Sequence, residues 1–406
     1  MLVRTRFALA ALSTACFTSV TSENLPVALL PQLADGFGVS EPAIGLLVTG
    51  YAVVVAVTVV PLVTVTARWD RRTTALAAIL AVTASNLLLA VAPGYAVAVI
   101  ARLVAAVGHG VFWSVVAAMA SRMLGPERAG RATAVVYAGN SVAFLLGLPL
   151  CSWLGTTLGW RATALVMAGV AALAAAVIRL TVDAMPAVPR TGGSPLRHAL
   201  TDRSLVSVNL TTVLVVLGHF TAFTYITVII ADYVRLDGSA MLLAHGAAGV
   251  LGLVVIGRAV DRHPRTTALV VTGGLAACML LLLTAGAVST AVAAVAVVLW
   301  AIPAGGMAVV LQAAVLRAAA QPDLASAVYI VAFQAGIALG AWAGGVSLGG
   351  GALTIAAVCG LAAAVVVSRS AAFTGEEHHE QAVVAGRRRL PDLPAQLRRH
   401  RRRRHR

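Results

Sequence analysis

Apolar residues run along this chain in long stretches, each closed by a short turn-forming or charged segment. Twelve such stretches stand out, at 7–33, 43–66, 74–92, 96–121, 132–154, 161–181, 204–231, 240–258, 267–286, 290–317, 324–346 and 351–368. Each is long enough for a helix to cross the hydrocarbon core, which takes roughly 20 residues. The breaks are Asp35-Gly36, Arg68-Trp69-Asp70-Arg71-Arg72, Pro93-Gly94, Gly125-Pro126-Glu127-Arg128, Gly159-Trp160-Arg161, Asp237-Gly238, Asp261-Arg262-His263-Pro264 and Gly349-Gly350-Gly351. The pattern predicts an all-α membrane protein with twelve transmembrane helices.

Composition agrees and excludes whole classes. Of 406 residues, 60% are hydrophobic and 11% charged, and the mean hydropathy is +0.92; a soluble domain carries about twice that share of charge. With both termini placed inside, 27 of the 30 arginines fall on the inner side, only Arg161 and Arg235 on outer loops, and Arg102 within a span. That bias is what the positive-inside rule expects, so both ends are expected in the cytoplasm. Met1 to Ser19 resembles a signal peptide, but Ser13 stands where a lipoprotein cleavage site wants an aliphatic residue, and apolar character continues through Leu30. An uncleaved first span is expected.

Every basic residue among Lys and Arg is an arginine. An intact Walker A site needs its lysine on the phosphates, and a Schiff base needs one as nucleophile, so ATP-driven and retinal- or pyridoxal-type chemistry are excluded. Cys16, Cys151, Cys278 and Cys359 are scattered singly. No metal, no cofactor and no enzymatic activity are expected, since the spans hold no clustered nucleophile, metal-ligand set or paired carboxylates.

Two segments repeat. Arg72-Thr73-Thr74-Ala75-Leu76 returns as Arg265-Thr266-Thr267-Ala268-Leu269, an offset of 193, and Pro126-Glu127-Arg128-Ala129 is answered by Pro322-Asp323-Leu324-Ala325 at 196. Both fall at equivalent loops. The expected organisation is an N-terminal six-helix bundle at 1–182, a cytoplasmic linker at 183–203, a pseudo-symmetric C-terminal six-helix bundle at 204–369 and a disordered arginine-rich tail at 370–406. Such paired bundles are a transporter architecture, with substrate held between halves that rock. The tail carries ten arginines against four acids, so +6 of the formal +15 charge sits there. The tail reads first as a solvated segment that reinforces orientation and second as a contact for anionic lipid headgroups; apart from Phe373 it lacks aromatics for stacking on bases, so nucleic acid is not an expected partner.

A charge at bilayer depth is costly and needs a reason. Glu23 lies roughly 15 Å from the outer end of the first span and Arg102 roughly 10 Å from that of the fourth, which puts them at comparable depth. Glu23 is either a proton-binding switch or one half of a static ion pair. Arg102, His109 and Trp113, at i, i+7 and i+11, share one helical face with Ala106 between them. His219, His245, Asn140, Gln312 and Gln334 suit interhelical hydrogen bonds. Gly139, Gly147 and Gly155 with Pro149 allow close helix approach and a kink in the fifth span.

The loop Gly257-Arg258-Ala259-Val260-Asp261-Arg262-His263-Pro264-Arg265 resembles the Gly-x-x-x-Asp-Arg-x-x-Arg gating loop of the major facilitator superfamily. In the first-half copy, Ala67 stands at the family's aspartate position and Asp70 at its second glycine. Arg102 with Gly108 and Gly110 resembles the fourth-span proton-relay motif, and Gly139 to Pro149 the fifth-span antiporter motif. Thr21-Ser22-Glu23-Asn24-Leu25-Pro26, His109-Gly110-Val111-Phe112-Trp113-Ser114, Gly147-Leu148-Pro149-Leu150 and Gly218-His219-Phe220 with Tyr225 resemble bacterial sugar efflux transporters, with chloramphenicol-type exporters next. The resemblance covers residues 1–369. It implies proton coupling through Glu23 and Arg102, and a substrate cavity lined by Asn24, His109, Trp113, Asn140, His219, Tyr225 and Gln334. It also implies gating loops built on Asp70, Arg71, Arg72, Gly257, Asp261, Arg262 and Arg265. The expected function is proton-coupled efflux of a sugar or sugar-like molecule by alternating access, the alternative being a multidrug or chloramphenicol-type exporter. A monomer in a bacterial cytoplasmic membrane is expected.

Overall fold

In the computed structural model, the described residues are 2–66, 68–124, 129–186, 201–319 and 322–373. Among them the regular structure is entirely helical. Hydrocarbon offers no partner for a bare peptide group, and a helix satisfies its N–H and C=O groups within itself. The helices are α1 (Leu2–Glu23), α2 (Leu25–Ala28), α3 (Leu30–Phe37), α4 (Glu41–Thr66), α5 (Arg71–Ala90), α6 (Tyr95–Leu124), α7 (Ala129–Val142), α8 (Leu148–Thr157) and α9 (Trp160–Thr181). Then come α10 (Arg203–Phe223), α11 (Ile226–Ile229), α12 (Gly238–Ala259), α13 (Pro264–Leu283), α14 (Thr290–Ala318), α15 (Pro322–Val346) and α16 (Gly350–Arg369).

Eleven stretches among the described residues are helices long and apolar enough to cross a membrane. The first span falls short because Ser13, Thr14, Thr18, Ser19, Thr21, Ser22 and Glu23 dilute its apolar content. It is also not the single helix 7–33 expected from sequence. Pro26 and Pro31 cannot donate to the helical ladder, and the chain breaks at Asn24 and Leu29 into α1, α2 and α3. Counted with it, the spans number twelve. The fifth span is likewise bent: a π-helical turn at Ala143–Gly147 precedes Pro149 and separates α7 from α8. A second π turn, Ile230–Val234, ends the seventh.

The helices pair in the same way twice. In the first six spans α1 packs on α7 and α9, α5 on α6 and α9, and α4 on α6; in the second six, α10 packs on α15 and α16, α13 on α14 and α16, and α12 on α14. Across the two sets, α4 meets α15 and α8 meets α12. Small residues bring backbones together at these seams: a methyl on Gly139 would overlap the Ser13 carbonyl, and one on Gly305 the Gly249 carbonyl. Large apolar side chains such as Val57, Val65, Leu173, Leu180, Trp153 and Trp342 lie exposed on the outside. A lipid-facing surface calls for that composition.

Cross-set contacts gather at the end opposite the N-terminus. There Thr227 Oγ1 donates to the Val27 carbonyl (3.4 Å), Thr49 Oγ1 to that of Ala338 (3.3 Å) and Ser239 Oγ to Ser152 Oγ (3.4 Å). A buried apolar cluster there joins Leu29, Leu33, Ile44 and Leu47 to Phe223, Tyr225 and Ile226. Toward the N-terminus the first set closes a separate core of its own around Leu12, Cys16, Ile79, Phe112 and Ile178. On that side the end of α9 is tied down by Arg4 to Asp183 (2.8 Å), Arg72 to the Val182 carbonyl (3.2 Å) and Arg122 to the Pro186 carbonyl (2.9 Å). Most of the expected linker (187–200), the loop 125–128 and the tail beyond Phe373 lie outside the described residues.

Candidate functional site

The break in the first span builds the site. In an unbroken helix the Val27 N–H would bond to the Glu23 carbonyl; here it bonds to Asn24 instead (3.0 Å). The freed Glu23 carbonyl accepts from an Arg102 terminal nitrogen at 2.9 Å. Arg102, 1% exposed, has its guanidinium carbon 4.8 Å from the centroid of the Tyr51 ring, a cation–π distance. Its Nε and other terminal nitrogen have no hydrogen-bond partner among the described residues.

The Glu23 carboxylate faces His109, with Oε2 3.7 Å from Nε2. That is too long for a hydrogen bond and close enough for strong electrostatic coupling. Neither side chain is open, at 17% and 8% exposure. The other ring nitrogen of His109 lies 3.1 Å from Ser19 Oγ. The Tyr51 and Trp113 rings stand 5.6 and 6.0 Å from the imidazole. Ser22 and Asn86 hydrogen-bond to each other beside the group. Thus the first, second, third and fourth spans converge on one acid, one imidazole and one guanidinium. A carboxyl and an imidazole at this spacing can exchange a proton with little movement, while the guanidinium keeps the site's field positive.

The remaining residues named from sequence are dispersed. Asn24 turns its amide back to the Val20 carbonyl (3.0 Å) and is buried. Asn140 is half-buried. Gln334 is buried with its amide oxygen unpartnered. Tyr225 is wedged at the end away from the N-terminus, its hydroxyl on the Ala341 carbonyl (3.2 Å) and its ring against Gly45, Gly344 and Gly345. His219 accepts from the indole N–H of Trp300 at 3.1 Å in the second set of spans. Gln312 reaches Ser326 (3.0 Å) between α14 and α15, an interhelical bond of the expected kind.

Near the N-terminal side, Asp70 caps α5, accepting from the Thr73 N–H at 3.1 Å. Arg71 donates its backbone N–H to Met185, and Arg72 bonds to Val182. Gly257 lies in the last turn of α12 with open space around it; Asp261 couples electrostatically to Arg317. Arg262 donates its main-chain N–H to Ala259, and Arg265 bonds to the Ser368 carbonyl. Sequence reasoning missed Ser19, Tyr51 and Trp300. Depth could have found the last two: each stands ten residues into its span, roughly 15 Å from the end, level with the buried polar groups and too deep for an interfacial anchor.

The comparisons with known proteins converge. The family model described as Major Facilitator Superfamily matches residues 12–341. Two chloramphenicol efflux pumps of Mycobacterium tuberculosis, from strains CDC 1551 and H37Rv, are each 40% identical over 352 residues, covering 83% of this chain and 84% of theirs. Among solved structures, a POT family transporter in complex with a thioalcohol-conjugated peptide superposes with a TM-score of 0.74 at 11% identity, over 89% of this chain and 94% of its own. A bacterial homologue of the human lysosomal transporter Spinster, inward-facing and unoccupied, gives 0.67 at 14% identity, over 93% and 97%. With twelve helical spans paired twice in one pattern, and a family match across most of its length, this chain belongs to the major facilitator superfamily and is a multi-pass membrane transporter.

Proposed function

We propose that this transporter exports an uncharged, chloramphenicol-like drug from a bacterial cytoplasm in exchange for protons. The observation that carries the reading is the 40% identity to two chloramphenicol efflux pumps across most of both chains. The sugar-efflux reading, placed first from sequence, gives way to its alternative on that ground.

Glu23 is the proton carrier in this proposal. It is an acid at bilayer depth within reach of an imidazole, and Arg102 holds the chain break beside it. The arginine bias puts both termini in the cytoplasm. The packed end around Tyr225 is then the outer face, and the described state is one shut to the outside. Protonation of Glu23 from outside accompanies drug release there; the proton leaves inward on the return. The chain works as a monomer of two rocking six-helix bundles, 1–182 and 204–369, with the 183–203 linker and the basic tail on the inner surface.

Expression in a bacterial host stripped of its own pumps tests this. Chloramphenicol tolerance should rise, and chloramphenicol should dissipate the pH gradient of everted vesicles. Export of a sugar analogue without drug tolerance would restore the sugar reading. Drug export that leaves the pH gradient untouched would remove the proton from the mechanism.

A further inference from the structure

A second polar cluster lies in the other half of the molecule and takes no part in the Glu23 constellation. His219 on α10, His245 on α12 and Trp300 on α14 meet with ring centroids 5.1–5.5 Å apart at Trp300. Phe223 stacks on His219 at 5.0 Å and on His245 at 6.0 Å, and Phe220 stands edge-on to His219 at 5.1 Å. Phe144, from the bent fifth span of the opposite set, closes on Phe223 at 6.2 Å. The box therefore sits where the two halves meet.

Hydrogen bonding fixes what each imidazole can offer. An indole N–H only donates, so His219 Nδ1, 3.1 Å from Trp300 Nε1, must be unprotonated; the ring is neutral and its proton sits on Nε2. A carbonyl only accepts, so His245 Nδ1, 2.8 Å from the Val297 oxygen, must carry the proton. In its uncharged form His245 then presents Nε2 as an acceptor. One histidine thus holds out a donor and the other an acceptor. Both rings are 8% exposed, and neither Nε2 has a protein partner among the described residues or is sealed from solvent. Among the described residues no carboxylate joins this cluster, so a cation would find no counter-charge in it.

We propose that this box is the recognition subsite for an uncharged molecule that carries an aromatic ring and, beside it, hydroxyl groups. His219 donates to a hydroxyl oxygen, His245 accepts a hydroxyl proton, and the ring packs against Phe144, the half-buried ring of the group, while Phe223 and Trp300, fully buried, hold the two histidines in place. The proposal rests on the drug-export reading and names the substrate chemistry within it. An aliphatic sugar would satisfy the two nitrogens and leave the half-buried Phe144 ring without an aromatic partner from the ligand; an aromatic cation would find no counter-charge.

The test is equilibrium binding of radiolabelled chloramphenicol, an uncharged aryl diol, to the purified full chain in lipid nanodiscs. His219→Phe and His245→Phe keep the ring stack and remove one hydrogen bond to the ligand each, together with the bond to Trp300 or to Val297; each should weaken binding about tenfold. Phe144→Ala leaves the Trp300–His219 bond untouched and should weaken binding several-fold, so it decides the matter if a histidine variant does not fold. Ethidium should not compete. Wild-type affinity in every variant that melts like wild type, or full competition by ethidium, would overturn the assignment. So would absence of binding to the wild-type chain. The export reading is judged separately, by drug tolerance in cells.

Discussion

Arg102 donates to the main-chain carbonyl of Glu23, at 2.9 Å, and not to its carboxylate. The two groups that sequence reasoning paired as acid and base are joined through the backbone. That arrangement exists because the first span breaks at Asn24, ahead of Pro26, and leaves a carbonyl without its usual helical donor. The carboxylate stays free to face His109. Structural and proton-carrying duties of residue 23 are therefore separable.

Glu23→Gln should keep the carbonyl bond to Arg102, insert into the membrane and fold normally. It should lose proton-coupled drug efflux by at least tenfold. Efflux and pH-gradient dissipation in everted vesicles measure this, and wild-type rates would remove the carboxylate from the mechanism.

Pro26→Ala should let the Val27 N–H return to the Glu23 carbonyl. Healing the helix gains up to about 3 kcal/mol, while the buried guanidinium loses a charge-assisted bond worth about 1.5–3 kcal/mol. The expected result is a melting temperature close to wild type with efflux lowered by tenfold or more. Unimpaired efflux would show that the break is dispensable.

A methyl group at Gly45 would overlap the Tyr225 hydroxyl, across the two sets of spans. Gly45→Ala should disfavour the packed outer end and shift the population toward states open there. Spin labels at Ser40→Cys and Leu236→Cys, both exposed at that end, should report a longer distance in the variant. An unchanged distance distribution would mean that Tyr225 is not a closing wedge.

Asp70 caps α5 through the Thr73 N–H. Asp70→Ala should cost about 1 kcal/mol of stability, and Asp70→Asn or Asp70→Ser should recover most of it. Thermal unfolding in detergent reads the difference. If the asparagine variant is as destabilised as the alanine, the carboxylate acts through charge and not as a cap.

The extent and number of the spans could be read from the chain because hydrocarbon imposes a local rule: about twenty apolar residues, all internally hydrogen-bonded. The depth of Glu23 and Arg102 followed from helical rise alone, as did the shared face of Arg102, His109 and Trp113. The glycines at 139, 147 and 155 announced a close approach, and each does face the first span, at Ser13, Thr21 and Leu29. What the chain could not declare is which atoms meet. His219 and Trp300 are 81 positions apart, Tyr225 and Gly45 farther still, and no periodicity encodes such pairs. Asp70, aligned to a gating loop, is drawn to the nearest unsatisfied N–H groups, those of its own helix. Partners of that kind are chosen by the packing of whole helices, where an unpaired polar group is costly enough to select among neighbours, and only the folded arrangement brings those neighbours together.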